Sequence, residues 1–308
     1  METTAPIPTT SSKMQTFWRR LTSSVILWSL VIGALFTDRF FSDIIFLVVM
    51  LLIAGFGLEE FYELCEKRNL VTFKVWGMIA ACGMILSTWC YLSGRFVPSK
   101  SPAQANSFET SIFIIFVLGL CLRQFMSRSN TMGILAISTT LFGLMYVPWL
   151  LNFIQKINYY PFENVKSGHF YLLYFIAITK FSDLGAYAVG SLIGKHKMIP
   201  RISPGKTWEG FVGAIFTSTL LSVLFVKFAG HHLQGLTYVH AIILGVLLSA
   251  AAVVGDLIES LFKREAGVKD SGRFFPGIGG MLDLMDSLLF NAPLMYLYIR
   301  HILAPVPS

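Results

Sequence analysis

Two pairs of carboxylates carry the clearest chemical signal in this chain. Asp256 and Glu259 are three residues apart, and so are Asp283 and Asp286. Residues at that spacing share a helix face, so each pair would present two acids in one direction. Two such pairs facing each other make an oxygen-rich site for a hard cation. Mg²⁺ in particular favours a few carboxylates combined with substrate phosphates. Between the pairs run Lys263-Arg264, then Lys269-Asp270-Ser271-Gly272-Arg273, then Pro276-Gly277-Ile278-Gly279-Gly280. Glycines allow positive φ and close backbone approach, and successive free N–H groups form an anion-binding nest. Cations, a glycine-rich turn and metal-binding acids together point to polyphosphate chemistry. A second stretch, Ser203-Pro204-Gly205-Lys206-Thr207, has the same character. It stops just before an expected helix, whose N-terminus adds positive potential.

Other polar groups say less. Lys180 and Asp183, also three apart, lie in or near an apolar stretch; a self-neutralising pair and a place at the edge of the acidic site are both open. The six histidines show no HxxxH or HExxH spacing and read as structural or solvated. Glu59, Glu60, Glu63 and Glu66, followed by Lys67 and Arg68, read as the solvated face of an interfacial amphipathic segment. Cys65, Cys82, Cys90 and Cys121 form no CxxC pair, so neither a disulfide nor a zinc site is expected.

The elements that must position these residues follow from composition. Of 308 residues, 55% are hydrophobic and 13% charged, against about 25% charged in a soluble chain. Mean hydropathy is +0.66. A soluble enzyme, a disordered chain and a nucleic-acid-binding domain are all excluded, despite a net charge of +7. The expected fold is all-α, a polytopic integral membrane protein. Runs such as Ile44–Phe56 and Ala241–Gly255 are continuously apolar, unlike the alternating segments of a barrel. Stretches long enough to cross the hydrocarbon core fall near 21–36, 42–58, 75–94, 108–125, 131–154, 168–193, 210–229, 238–262 and 286–305. That makes about nine helices, with the fourth resting on a short clean run from Ser111 to Leu122. The first, after Arg19-Arg20, reads as a retained anchor behind a disordered Thr-, Ser- and Pro-rich stretch.

The chain divides in two. Residues 1–167 read as about five apolar spans joined by unremarkable polar loops, and 168–308 as the catalytic membrane region. With the N-terminus placed in the cytoplasm, inner segments hold sixteen Lys and Arg and outer ones seven, the expected positive-inside bias. Segment 195–209 holds five charged residues and segment 256–286 holds ten, both on the cytoplasmic side. The protein is therefore expected to be multi-pass in the cell (inner) membrane if bacterial.

These residues resemble the signature of the phosphatidate cytidylyltransferases, or CDP-diacylglycerol synthases. That pattern runs Ser-x-x-Lys-Arg, four residues, Lys-Asp, a glycine-rich turn, then Leu-Asp-Arg-x-Asp. Here it reads Ser260-Leu-Phe-Lys263-Arg264, Lys269-Asp270-Ser271-Gly272, then Pro276 to Gly280 and Leu282-Asp283-Leu284-Met285-Asp286. Gly255-Asp256, Ser182-Asp183 with Ala186-Tyr187 and Gly190, and Ile202 to Gly210 also match. The family usually carries His at position 278 and Arg at 284, where this chain has Ile278 and Leu284.

The resemblance implies transfer of a cytidylyl group from CTP to phosphatidate, giving CDP-diacylglycerol and pyrophosphate, with Mg²⁺ and room for a second cation. It implies Asp256 and Asp283 as principal metal ligands, with Glu259 and Asp286 adjacent and Asp183 completing the acidic site. Lys263, Arg264 and Lys269, with Lys206, would neutralise phosphates. Ser203, Pro204, Gly205, Thr207, Ser260, Asp270, Gly277, Gly279 and Gly280 would bind substrate. Expected partners are CTP, phosphatidate or a related anionic lipid, the bilayer, and a second copy in a homodimer, but no nucleic acid. The rival readings are a CTP-dependent lipid kinase, a scaffold or low-activity paralogue and, from another class, a secondary transporter.

Overall fold

The computed structural model describes residues 39–94, 102–127, 132–162, 167–272 and 279–303, with Ser29 and Gly33. Lipid offers backbone N–H and C=O groups no partner but each other, and the apolar stretches are accordingly helical. The helices are α1 (Arg39–Lys67), α2 (Lys74–Leu92), α3 (Pro102–Met126), α4 (Gly133–Leu144), α5 (Leu150–Asn158), α6 (Ser167–Ile193), α7 (Trp208–Ala229), α8 (Tyr238–Glu265) and α9 (Met281–Tyr298). A π-turn at Met145–Trp149 joins α4 to α5 as one crossing. Pro148 lies within it, and its missing N–H and ring displace the regular ladder there.

Among the described residues, seven helices are long and apolar enough to cross a membrane. Of the nine expected crossings, the first, at 21–36, lies outside the described residues save for Ser29 and Gly33. The ninth corresponds to α9, which carries Asp283, Asp286, Asn291 and Pro293 and falls short of that apolar standard. The fourth is a complete helix of 25 residues.

Three further details complete or correct the expectations. The all-α reading holds, and the structure adds to it a small antiparallel hairpin, β1 (Lys197–Ile199) with β2 (Ser203–Thr207), in which Lys197 faces Thr207 and Ile199 faces Ser203. The first half is not a set of plain apolar spans. Buried Glu109 and Lys156 form an ion pair of 2.6 Å, and Asn152 donates to Glu109 and to Thr88. Charges sunk this deep persist only when paired. The third concerns the acidic stretch after residue 58, which continues α1 and does not all face solvent: Glu60 is 9% exposed.

Helices α6 and α7 approach closely because small residues line their seam. A side chain at Gly185 would overlap Thr217, and one at Gly213 would overlap Val189, the small-residue contact typical of membrane helices. Helix α9 packs on α8, α5, α1 and α6, so the acidic ends of α8 and α9 meet at one end of the bundle.

Candidate active site

Gly255 sets the approach of α8 to α9. A Cβ there would lie 2.8 Å from the backbone O of Asp286 and 3.0 Å from the Phe290 ring. The close passage brings Asp256 and Glu259 beside Asp286. One carboxylate oxygen from each of the three lies within 4.8 Å of the others. Glu259 is fully buried and Asp286 is 8% exposed. Asp256 Oδ2 pairs with Lys206 Nζ at 2.6 Å, and Glu259 Oε2 accepts from Lys263 Nζ at 3.0 Å. Glu259 Oε1 is buried with no hydrogen-bond partner among the described residues. A buried carboxylate oxygen without a donor is costly, and hard oxygens grouped at this spacing suit a divalent cation. The residues present therefore fit Mg²⁺.

Asp283 is not in this trio. It occupies the third helical position of α9, where Oδ2 accepts from the Ser271 amide at 3.0 Å, the Ser271 hydroxyl at 2.9 Å and the Gly280 amide at 2.8 Å. Its Oδ1 accepts from Lys263 Nζ at 2.5 Å. Lys263 and the two amides together hold the Asp283 carboxylate in place. Lys263 thus bridges Asp283 to Glu259, and the second carboxylate pair divides its work. Asp286 joins the trio while Asp283 fastens the glycine-rich turn.

The strand Ser203–Thr207 brings the other basic motif to the same end. Lys206 Nζ also donates to Val253 O at 3.1 Å, and Thr207 caps α7 by accepting from Gly210 N at 3.1 Å. A cavity of about 490 Å³ is lined by Asp183, Ser203, Gly205, Lys206, Thr207 and Asp256, among others. Pro204 sits on the same strand, exposed. Ser260 donates to Asp256 Oδ1 at 3.4 Å. Asp183 accepts from Ser287 Oγ at 3.2 Å and lies 3.7 Å from Lys180.

The remaining nominated residues stand further out. Arg264 is exposed, and its guanidinium donates to the Ile202 and Val268 carbonyls, each at 3.1 Å, tying the hairpin to the loop after α8. Lys269 and Asp270 are exposed in that loop. Gly277 and Ile278 lie outside the described residues, while Gly279 (φ +123°) and Gly280 open α9.

Sequence reasoning missed Glu60. Its Oε1 accepts from the Met281 amide at 2.9 Å, and its Oε2 from the Leu282 amide at 2.8 Å and the Ser271 hydroxyl at 2.9 Å. It therefore caps α9 from another helix and reaches Asp283 through Ser271. A Cβ at Gly272 or Gly280 would overlap this carboxylate. Those two glycines are small because Glu60 fills the space beside them. One signal was available: Gly57, Glu60 and Leu64 follow the three-and-four spacing of a buried face, while Glu59, Glu63 and Glu66 fall off it.

Comparison with known proteins agrees with this geometry. A model of the cytidylyltransferase family matches residues 18–302. Phosphatidate cytidylyltransferase of Haemophilus influenzae is 31% identical over 287 residues, covering 89% of this chain and 96% of that protein. Phosphatidate cytidylyltransferase of Staphylococcus aureus is 33% identical over 252 residues, covering 81% and 88%. The protein YnbB of Escherichia coli is 36% identical over 162 residues, covering 53% and 51%. With its acids and lysines gathered at one end of a membrane bundle, this chain belongs to the cytidylyltransferase family.

Proposed function

We infer that the chain transfers the cytidylyl group of CTP to phosphatidate, releasing pyrophosphate and forming CDP-diacylglycerol for phospholipid synthesis. The observation that carries this reading is the convergence of Asp256, Glu259 and Asp286 with Lys206 and Lys263 at one end of the bundle. In this reading that end faces the cytoplasm, where CTP arrives from water and the lipid phosphate sits at the inner boundary.

Asp256, Glu259 and Asp286 would hold Mg²⁺, which supplies charge neutralisation on the phosphates and a template for in-line displacement. The chain's own part is positioning and electrostatics, as phosphoryl transfer demands little else of a protein. Lys206, on the cavity wall, would exchange its bond to Asp256 for the triphosphate. Lys263 stays between Glu259 and Asp283 and holds both acids in place. Asp283, through Ser271 and Gly280, fixes the start of the turn that would cradle the departing pyrophosphate. The lipid phosphate oxygen attacks the α-phosphorus and the bond to the β-phosphate bridge breaks, so no protein nucleophile is needed. A second cation and a homodimer belong to the same reading.

The test is product identity. Purified protein given phosphatidate, Mg²⁺ and CTP labelled at the α-phosphorus should yield labelled CDP-lipid. Label entering the lipid only from the γ-position would make the protein a lipid kinase and overturn the reading.

A further inference from the structure

Lys180 lies inside the α6 crossing, one turn deeper than Asp183. An ammonium at that depth is expensive and persists where it has a task. Its neighbour on the same helix is Asp183, at 3.7 Å. Its two shorter contacts reach the opposite helix: Nζ donates to Leu284 O at 2.7 Å and to Ser287 Oγ at 3.1 Å. Ser287 Oγ donates onward to Asp183 Oδ2. The cation is therefore fixed against the backbone of residue 284 and is not simply neutralised along its own helix. Lysine has three donors, and the third has no acceptor within hydrogen-bond distance among the described residues. The side chain keeps 25% exposure, so this donor is not sealed in.

Position 284, whose carbonyl Lys180 holds, carries an uncharged side chain, Leu284. An anionic headgroup nearing Asp183, Asp256 and Asp286 meets repulsion unless cations flank them. Lys206 stands at Asp256 on one flank, and Lys180 stands at Asp183 on the other. Lys180 is the deeper of the two, on the bilayer side, where a lipid phosphate arrives and a water-borne nucleotide does not.

We propose that Lys180 binds the phosphate of the acceptor lipid. The proposal rests on the cytidylyl-transfer reading and names the ligand of one of its residues. The experiment uses the full chain in nanodiscs of neutral lipid, with phosphatidate and CTP varied separately. The variants are K180M, K180R, L284R and K180M/L284R. Loss of a charge-assisted contact should raise the KM for phosphatidate in K180M by about tenfold or more, with the KM for CTP changed less than about twofold. K180R should hold the lipid KM near wild type. L284R alone should weaken turnover by crowding two cations. K180M/L284R should recover the lipid KM to within about threefold of wild type, since a cation on the facing helix, at the residue whose carbonyl Lys180 contacts, replaces the lost charge. An unchanged lipid KM in K180M, an equal rise for CTP, or a double variant no better than K180M would overturn the proposal. K180R failing as badly as K180M would overturn it as well. If the wild type makes no CDP-lipid, the parent reading falls. Native mass spectrometry of phosphatidate binding then decides Lys180 alone, and equal binding by wild type and K180M would refute it.

Discussion

Replacing Glu60 by glutamine exchanges one oxygen for an NH₂ group and tests how the glycine-rich turn is held. Its carboxylate accepts three hydrogen bonds, from the Met281 and Leu282 amides and the Ser271 hydroxyl. In E60Q one oxygen becomes an NH₂ donor facing donors. The Ser271 hydroxyl can rotate and accept, but a backbone amide cannot. At least one buried N–H at the start of α9 then loses its acceptor, at about 1–3 kcal/mol. The lost negative charge beside a helix N-terminus adds about 0.3–1 kcal/mol. E60Q should therefore cost about 1–4 kcal/mol, and E60A as much or more because all three bonds go. Glu63, exposed on the same helix, is the control, and E63A should stay within about 0.5 kcal/mol of wild type. Unfolding in mixed micelles at rising SDS fraction, followed by far-UV circular dichroism, gives the comparison. Protease cleavage between 272 and 279 gives a local readout, expected to quicken in E60Q. An E60Q protein as stable and as protease-resistant as E63A would refute the reasoning.

Other outcomes follow from the same geometry. G280A should lose stability and activity together, because its Cβ would collide with Glu60 and Ser271; melting temperature and turnover measured on one preparation check this. D283N should leave Mn²⁺ affinity, read by electron paramagnetic resonance, within about threefold of wild type while slowing turnover, since Asp283 binds Lys263 and the turn. Either E109Q or K156M should destabilise the bundle by about 3 kcal/mol or more, and the double variant E109L/K156M by less than the two combined. SDS unfolding of the three variants tests that coupling.

Much of the molecule was legible in the sequence, for identifiable reasons. Continuous apolar runs leave lipid-exposed backbone only the helix, so the crossings from Arg39 onward fell close to their stretches. Spacing of three found both carboxylate pairs and placed each on one helix. It could not say how the two faces meet across helices. That depends on Gly255 passing close to Asp286, which brings Asp286 to Asp256 and Glu259 and leaves Asp283 with Lys263 and Ser271. Local reading also cannot see contacts between residues 211 positions apart in the chain, such as Glu60 with Ser271. Four glutamates in a short run look solvated until the helix phase is counted. Ser203 to Thr207 reads as a loop because Pro204 and Gly205 disfavour strand, and the pairing with Lys197–Ile199 overrides that preference.

The central claim is that Asp256, Glu259 and Asp286 hold the metal that drives cytidylyl transfer. Its most direct test is the rate of CDP-lipid formation from α-labelled CTP across a Mg²⁺ titration, wild type beside D286N, with Mn²⁺ binding measured on the same samples. The account predicts Mg²⁺-dependent product from the wild type. For D286N it predicts at least about a hundredfold loss of rate with weakened Mn²⁺ binding. D286N turning over at the wild-type rate with the same Mg²⁺ dependence would contradict it.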